Sequence, residues 1–270
     1  MSEKWCYIER DTPEKSVVVI DGIIGGTWYG LTEEENLGAV SAKEFVEQLN
    51  RLESDFIELH VNSPGGSVFD GLKIFNALRA ISTRKRVHCI VDGVAASIAS
   101  ILPLACTRSI MPAASFLMIH NPWSYAEGNA AHFRAAADEL DKIRDTLVDI
   151  YSDGRPEMDK RFISLMDGVD GADGTWLSAP EALELGLVDE VEETIRAAAC
   201  AGIERYHNLP PAVVKLAQAA GKRGIERDLR ALGYSQVEAK AIASGKAEIR
   251  HRDGGGSVDW QGVLHELQKQ

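Results

Sequence analysis

Short apolar runs alternate with amphipathic stretches along most of the chain, from residue 16 to residue 191. Several runs are β-branched or alternate apolar with polar positions, as residues 55–61 (DFIELHV) do, and this period of two predicts strands. The predicted strands occupy residues 16–22, 55–61, 86–93 and 115–120, with a last strand at the end of residues 178–191. Residues 22–36 are rich in glycine and acidic side chains and predict a loop.

Between these runs, apolar side chains recur at the spacing of a helix. Ser41 followed by Glu44 forms a capping-box pattern at the first predicted helix, and Pro103 is expected to end or kink the third. The fourth carries a narrow apolar stripe that starts at Phe133 and repeats every seven residues. The predicted helices occupy residues 41–52, 67–81, 96–105 and 131–151, with a short one within residues 178–191. This alternation predicts an α/β domain over residues 1–195.

The charge changes sign near residue 200. Residues 196–270 contain 12 Lys or Arg and 8 Asp or Glu, a net charge of +4. Because the net charge of the whole chain is −12, residues 1–195 carry a net charge of −16. We expect a helical appendage over residues 196–251, then a flexible linker (RDGGGS) and a terminal helix over residues 252–270. We interpret this tail as a tether or assembly segment. A helix-turn-helix DNA-binding unit is the alternative, which the small basic excess disfavours.

Composition excludes several classes of function. The net charge of −12 argues against a general nucleic-acid-binding protein. No apolar run reaches the ~18 residues that span a bilayer, and no leader of the secretory type opens the sequence, so no membrane association is expected. None of the four cysteines lies in a CxxC pair, and free thiols in a reducing compartment are expected. The seven histidines show no metal-ligand spacing, so neither a metal nor a cofactor is predicted.

The first stretch with candidate chemistry is residues 92–100 (DGVAASIAS), in which Ser97 follows a predicted strand and opens a buried helix. Helix N-termini carry unpaired N–H groups and a partial positive charge. A nucleophilic serine there would have the N–H of Ile98 directed at an acyl oxyanion. An ordinary N-cap is the alternative role. Ser100 is a rival nucleophile one turn further in, where we expect it to be buried.

The second stretch is residues 62–66 (NSPGG), where a predicted strand ends in two adjacent glycines. Glycine permits positive φ angles and a close approach of the backbone to a ligand. The N–H of Gly66 would then be a second oxyanion donor, and the edge at Gly65 would pair with an extended peptide. An ordinary tight turn is the alternative. A phosphate-binding loop is excluded because neither GK[ST] nor GxGxxG is present.

The third stretch is residues 115–122 (SFLMIHNP), which ends a predicted strand at His120. Functional side chains often project where strands meet loops. We select Asn121, the next residue, as a candidate substrate contact together with Gly65. A structural or merely exposed histidine is the alternative for His120.

These three stretches and residues 177–189 (LSAPEALELGLVD) closely resemble, in the same order, the ClpP family of self-compartmentalising serine peptidases. That family shows an NSPGG turn, a G-x-AAS nucleophile segment, a MIH-x-P histidine segment and an LSAPEA-x-x-x-GLVD close. The resemblance covers about residues 16–191. It implies an α/β fold of the ClpP and crotonase type, a spiral of repeated β-α-β units. A long protruding handle helix would be formed by residues 131–151, and a small helical C-terminal tail would follow.

The resemblance implies a Ser-His-Asp peptidase. Ser97 would be the nucleophile, and His120 would take its proton and return it to the leaving amine. The backbone N–H groups of Gly66 and Ile98 would bind the oxyanion.

The acidic member of this triad departs from the family pattern. The family places an acidic residue three positions before the leucine of LSAPEA, and the residue there is Gly174. We select the adjacent Asp173 as the third member. Asp167 and Asp170 remain alternatives, because the glycine-rich loop that contains them would bring either carboxylate into reach.

Looser motifs resemble one branch of the family, the ClpP-like head maturation proteases of tailed bacteriophages. They are VVVIDGIIGG, NLGAVSAKEFVEQLNRL and LRALGYSQVEAKAIASG. That branch implies cleavage of scaffold and capsid proteins inside the assembling prohead, in the host cytoplasm. The handle helix of the family interlocks facing rings, so a homo-oligomeric ring of open subunit number is implied. An ordinary surface helix is the alternative for residues 131–151.

Three other functions remain open. The first is a cellular ClpP-type proteolytic subunit that works with an ATPase. The second is a catalytically inactive scaffold component of the capsid, which the glycine at position 174 favours. The third is an enoyl-CoA hydratase relative, which also holds an oxyanion with two backbone N–H groups. That class needs acidic residues at its centre, so Ser97 and His120 argue against it.

Overall fold

The computed structural model describes residues 6–25, 39–169 and 173–193. The predicted appendage over residues 196–251 and the terminal segment over residues 252–270 lie outside the described residues, as does Asp170.

Ten strands and five α-helices are formed by these residues. The strands are β1 (Cys6–Asp11), β2 (Ser16–Asp21), β3 (Ile23–Ile24), β4 (Ala39–Val40), β5 (Phe56–Ser63), β6 (Arg86–Ala96), β7 (Arg108–Pro112), β8 (Phe116–Ile119), β9 (Thr175–Ser178) and β10 (Glu190–Glu192). The α-helices are α1 (Ala42–Arg51), α2 (Val68–Ser82), α3 (Ala130–Ser152), α4 (Asp159–Asp167) and α5 (Ala179–Leu185). Two 3₁₀ helices cover Ser97–Ala105 and Pro156–Met158.

A mixed sheet of eight strands organises the domain. The strand order is β1-β2-β5-β6-β7-β10, and every neighbouring pair is parallel except β1 with β2. Strand β8 also pairs with β6 in parallel, and β9 lies antiparallel to β8. Helices α1 and α2 connect β2, β5 and β6, as crossovers between parallel strands require. The predicted α/β class is therefore confirmed, with antiparallel additions at two places.

The alternation of residues 55–61 produces the two faces of the sheet. Ile57, Leu59 and Val61 are fully buried in one core with apolar side chains of α1 and α2. Glu58 and His60 point to the opposite face because successive strand residues alternate sides. The apolar positions that predicted the strand are therefore those that attach the helices to the sheet.

Strand β6 is longer than predicted, and this difference matters for the site. We expected the strand to end at Gly93, but it continues to Ala96. It changes partner on the way: His88 to Ile90 pair with β7, whereas Val94 to Ala96 pair with β8. Ser97 therefore follows directly on a paired strand, without a loop between them.

The buried helix that follows was predicted to end or kink at Pro103. It continues to Ala105 as a 3₁₀ helix with Pro103 inside it. In an α-helix the proline ring would collide with the carbonyl of Ala99, and the 3₁₀ form avoids that contact. Ile23 and Ile24, which fall inside a predicted loop, form a short strand that pairs with β4.

The long predicted helix is present as α3. Asn129 caps it by accepting hydrogen bonds from Ala131 N (3.0 Å) and His132 N (3.3 Å), as residues at this position commonly do. Its buried residues, which include Leu147, all lie in the last two turns, whereas Phe133 near the other end is 52% exposed. Within the described ranges, no helix is both long and apolar enough to cross a membrane.

The sheet face opposite α1 and α2 carries a cluster of charged side chains around His60. Its Nδ1 lies 2.9 Å from both carboxylate oxygens of Asp92, and its Nε2 lies 3.3 Å from Glu58 Oε1. Lys15 Nζ donates to the same Glu58 oxygen at 2.7 Å. Burial of the imidazole lowers the pKa of His60 because it disfavours the charged form. Hydrogen bonds and charge attraction from Asp92 and then Glu58 outweigh this effect, so the net result is a raised pKa.

This raised pKa predicts a pH-dependent contribution to stability. The pKa of His60 is ~6.5 in the unfolded chain and higher in the folded protein. The stabilisation by protonated His60 is therefore complete below pH ~6.5 and is lost as the pH rises through the folded-state pKa. In urea unfolding, wild type should exceed His60→Gln in stability by more at pH 6 than at pH 9.

His88→Gln provides a control of opposite sign. Burial, then the charges of Arg108 and Arg86, lower the pKa of His88, so its neutral form is favoured in the folded state. Wild type should therefore lose stability relative to His88→Gln as the pH falls. If the free energy of unfolding changed with pH in the same way for wild type and His60→Gln, the cluster would not favour the protonated form of His60.

Candidate active site

Ser97 occupies a strained position at the junction of β6 and the 3₁₀ helix. Its φ angle is +54°, a left-handed conformation that non-glycine residues adopt rarely and at some energetic cost. Its Oγ lies 2.8 Å from Nε2 of His120. The predicted serine and the predicted histidine are therefore in hydrogen-bonding contact.

Strand register explains this contact. Ala96 of β6 pairs with Met118 of β8, so the residues that follow these strands emerge side by side at the same end of the sheet. His120 follows β8 directly and is only 5% exposed. Its second nitrogen, Nδ1, lies 3.2 Å from Oδ1 of Asp173. The imidazole thus lies between a hydroxyl and a carboxylate, an arrangement able to activate the hydroxyl as a nucleophile.

Gly174 shows why the carboxylate comes from the preceding residue. Gly174 has a φ of +82°, and a Cβ there would lie 2.3 Å from the carbonyl oxygen of Ile119 and 2.4 Å from His120 Cβ. No side chain fits at that position without a backbone shift. Gly174 therefore packs directly against His120. Asp173, the residue before it, places its carboxylate beside the imidazole.

Of the other two candidate acids, only Asp167 lies within the described residues. Asp167 Oδ1 accepts a hydrogen bond from Asn121 Nδ2 at 2.8 Å, and Asp170 lies outside the described residues. Asn121 Oδ1 is buried and has no hydrogen-bond partner among the residues that the structure describes. Asn121 therefore links the turn after β8 to the end of α4, a contact that the sequence did not suggest.

The two glycines of the NSPGG turn lie between β3 and the serine segment. A Cβ on Gly65 would lie 2.6 Å from Ser97 Cβ and 3.2 Å from Ile98 N, and a Cβ on Gly66 would lie 2.0 Å from the carbonyl oxygen of Ile24. Their φ angles, +93° and +151°, are also in the range that favours glycine. Close approach of backbone to backbone therefore requires both glycines.

Hydrogen bonds to β3 fix the direction of the turn. Ile24 N–H donates to the carbonyl of Gly65, and Ser67 N–H donates to the carbonyl of Ile24, both at 2.8 Å. Because successive peptide groups of an extended segment alternate sides, the N–H and carbonyl of Gly66 point away from β3. The N–H of Ile98 belongs to the first turn of the 3₁₀ helix and so has no partner within that helix.

The rival nucleophile Ser100 is fully buried, as expected. Its Oγ lies 2.5 Å from the carbonyl oxygen of Ser97 and 2.7 Å from the hydroxyl of Tyr151. No local pattern indicates the Tyr151 contact, because 51 positions separate the two residues. Over the ranges described above, no three His, Cys, Asp or Glu side chains are grouped so as to hold a metal ion.

Comparison with known proteins agrees with this geometry. The family model described as Clp protease matches residues 32–195, which is more than half of the chain. The ATP-dependent Clp protease proteolytic subunits of Bacteroides thetaiotaomicron and Bacteroides fragilis are 37% identical over 139 residues, or 50% of this chain and 59% and 63% of theirs. Subunit 1 of Prochlorococcus marinus is 35% identical over 157 residues, or 56% of this chain and 76% of its own.

The chain thus spans about three fifths of the length of the Bacteroides relatives. The matched region contains the NSPGG turn, Ser97, His120 and Asp173. On the strength of this match, the chain belongs to the Clp protease family.

Proposed function

We propose that the protein is a serine endopeptidase that cleaves peptide bonds through an acyl-enzyme on Ser97. The observation that carries this proposal is the 2.8 Å contact between Ser97 Oγ and His120 Nε2, with Asp173 Oδ1 3.2 Å from the other ring nitrogen. Membership of the Clp protease family also supports it.

In the proposed reaction, Ser97 Oγ attacks the carbonyl carbon of the scissile peptide bond while His120 Nε2 accepts the hydroxyl proton. The carbonyl oxygen becomes an oxyanion, which accepts hydrogen bonds from the N–H groups of Gly66 and Ile98. The tetrahedral intermediate collapses as His120 returns the proton to the leaving amine. Water, activated by His120, then hydrolyses the ester and frees Ser97.

Asp173 is proposed as the third member of the triad. Its carboxylate accepts a hydrogen bond from the Nδ1–H of His120, which keeps Nε2 free to accept the serine proton. The Asp173 side chain is 59% exposed, so solvent screens its charge. Its main contribution is therefore to hold the tautomer and the orientation of the ring.

The substrate is proposed to bind as an extended strand along the NSPGG turn. The peptide groups of Gly66 point away from β3 and are directed to pair with a peptide backbone, as an added strand does. A Cβ on Gly65 would lie 2.6 Å from Ser97 Cβ, so glycine allows the turn to approach the nucleophile closely. Asn121, which follows His120 directly and bonds Asp167, remains a candidate substrate contact.

For the substrate itself, we propose scaffold and capsid proteins cleaved during phage head maturation, inside an immature shell in the host cytoplasm. The looser motifs of the N-terminal region and the tail support this branch. In this proposal, residues 196–251 tether the enzyme to the assembling shell. The similarity to ATP-dependent Clp protease proteolytic subunits favours a second candidate, a proteolytic subunit that works with an ATPase.

A ring of identical subunits is proposed as the active assembly. The N-terminal half of α3 supports it, because Phe133 and its neighbours are exposed, whereas the buried residues of the helix all lie in its last two turns. A narrow apolar stripe with a seven-residue period suits packing against another helix.

The nucleophile is tested with a fluorophosphonate probe, which reacts with activated serines. Wild type should be labelled at Ser97, and Ser97→Ala should abolish labelling because it removes the attacking oxygen. Ser124→Ala, which removes an exposed hydroxyl in a nearby loop, is the matched control and should be labelled as wild type. Labelling that persists unchanged in Ser97→Ala would exclude Ser97 as the nucleophile.

The acidic member is tested by exchanging each described candidate. With fluorescent casein as substrate, Asp173→Ala should lower kcat by roughly 10²- to 10⁴-fold, because the imidazole loses the partner that fixes its tautomer. Asp167→Asn retains an oxygen that can accept from Asn121, and its kcat should change by less than about threefold. An equal loss in both variants would contradict the assignment of Asp173.

The two substrate proposals differ in their need for ATP. A maturation protease should cleave purified capsid and scaffold proteins at discrete sites without ATP, giving defined fragments by mass spectrometry. An ATPase-dependent subunit should degrade a folded protein only when ATP and a partner ATPase are added. Fragmentation that is absent until ATP and ATPase are present would reject the maturation proposal and leave the peptidase proposal intact.

A further inference from the structure

A chain of buried hydroxyl groups leads from helix α3 to the backbone of Ser97. Ser100 Oγ lies 2.5 Å from the carbonyl oxygen of Ser97 and 2.7 Å from the hydroxyl of Tyr151. Both Ser100 and Tyr151 are almost completely buried. Neither residue contacts the reacting groups, and the proposed mechanism does not use them.

The donor in each of these two hydrogen bonds follows from the number of protons that the groups carry. A carbonyl oxygen can only accept, so the single proton of the Ser100 hydroxyl must be donated to Ser97. The contact with Tyr151 must then be a donation from the tyrosine to Ser100 Oγ. Burial raises the pKa of Tyr151 to about 12, against a smaller opposing effect of the Ser100 hydrogen bond, so the phenol keeps its proton at neutral pH.

The carbonyl that accepts from Ser100 belongs to the same peptide plane as the N–H of Ile98. The peptide bond is planar and trans, so its C=O and N–H point in opposite directions. A hydrogen bond that holds the Ser97 carbonyl toward the buried Ser100 therefore directs the Ile98 N–H away from the core. Ile98 N also lies near Gly65 of the NSPGG turn, where a Cβ would lie 3.2 Å from it.

This orientation needs support, because Ser97 has a φ of +54° that its own conformational preference opposes. A peptide plane next to such a residue can relieve strain by rotating. The bonds from Ser100 and Tyr151 oppose that rotation. Tyr151 is itself held in place by the ring of Phe162, at a centroid distance of 5.7 Å.

We propose that Ser100 and Tyr151 are positioning residues that direct the Ile98 N–H at the oxyanion. This inference rests on the proposed peptidase function and extends it to two residues outside the triad. It also connects the buried end of α3 to the oxyanion donor, since Tyr151 lies in the last turn of that helix.

The test measures the labelling rate of the full chain with a fluorophosphonate probe. The probe phosphorus forms a bond to Ser97 Oγ, fluoride leaves, His120 takes the serine proton, and the phosphoryl oxygen occupies the oxyanion position. Complete loss of one oxyanion donor costs roughly 10²- to 10³-fold in rate. A misdirected donor should therefore lower kinact by about tenfold in Ser100→Ala and by about threefold to tenfold in Tyr151→Phe, with KI within about twofold of wild type.

Two variants serve as matched controls. Ser82→Ala removes a 2.9 Å hydroxyl-to-carbonyl bond to Ala105, at the other end of the same 3₁₀ helix. Ser152→Ala removes a buried hydroxyl next to Tyr151 that bonds Asp159 instead. Both should label within about twofold of wild type. Ser100→Thr, which keeps the hydroxyl, should recover most of the rate lost in Ser100→Ala.

The possible results separate this inference from the proposed function. If wild type is not labelled at Ser97, both fail. If wild type is labelled but Ser100→Ala and Tyr151→Phe react as fast as the two controls, the positioning role is wrong and the peptidase proposal stands. If Ser100→Ala does not fold, as thermal unfolding would show, Tyr151→Phe decides alone, because it keeps the ring volume and removes only the hydroxyl.

Discussion

The site depends on a place where three backbone segments approach too closely for any side chain. The NSPGG turn touches β3 on one side, where a Cβ on Gly66 would lie 2.0 Å from a carbonyl oxygen, and touches Ser97 on the other. Hydrogen bonds to both the carbonyl and the N–H of Ile24 fix the turn. Since backbone contacts of this kind leave no freedom for repacking, they fix the position of the turn beside Ser97. The strained φ of Ser97 persists within that frame.

Strand pairing supplies the second determinant of the site. Strand β6 exchanges β7 for β8 as a parallel partner, which places the ends of β6 and β8 side by side and brings Ser97 and His120 together. Strand β9 then pairs antiparallel to β8, with Thr175 opposite Ile119. This pairing leads the chain past His120 and brings Asp173 to its ring. Three side chains that are far apart in the sequence thus meet because of the register of three strands.

The sequence was informative where function imposes a local pattern. The glycine pair, the serine at a strand end and the histidine at the next strand end could each be selected from residues alone, and their order indicated the family. The extension of β6 to Ala96 could not be predicted from the sequence. The last residues of this strand pair with β8 and carry no local signal beyond small apolar side chains. The contact of Ser100 with Tyr151 spans 51 positions and depends on how α3 packs, which helical periodicity does not reveal. The same holds for Asn121 and Asp167.

Gly174 is the position where sequence and structure lead to opposite interpretations. From the sequence, a glycine where the family has an acid favoured loss of catalysis. In the structure, a Cβ at that position would collide with Ile119 and His120, so an acidic side chain there would require a different path of the backbone. The positive φ of Gly174 allows the chain to turn closely around the histidine, and the carboxylate of Asp173 lies 3.2 Å from Nδ1. The histidine thus has a carboxylate partner one residue before the glycine, and Gly174 alone is not evidence for an inactive scaffold.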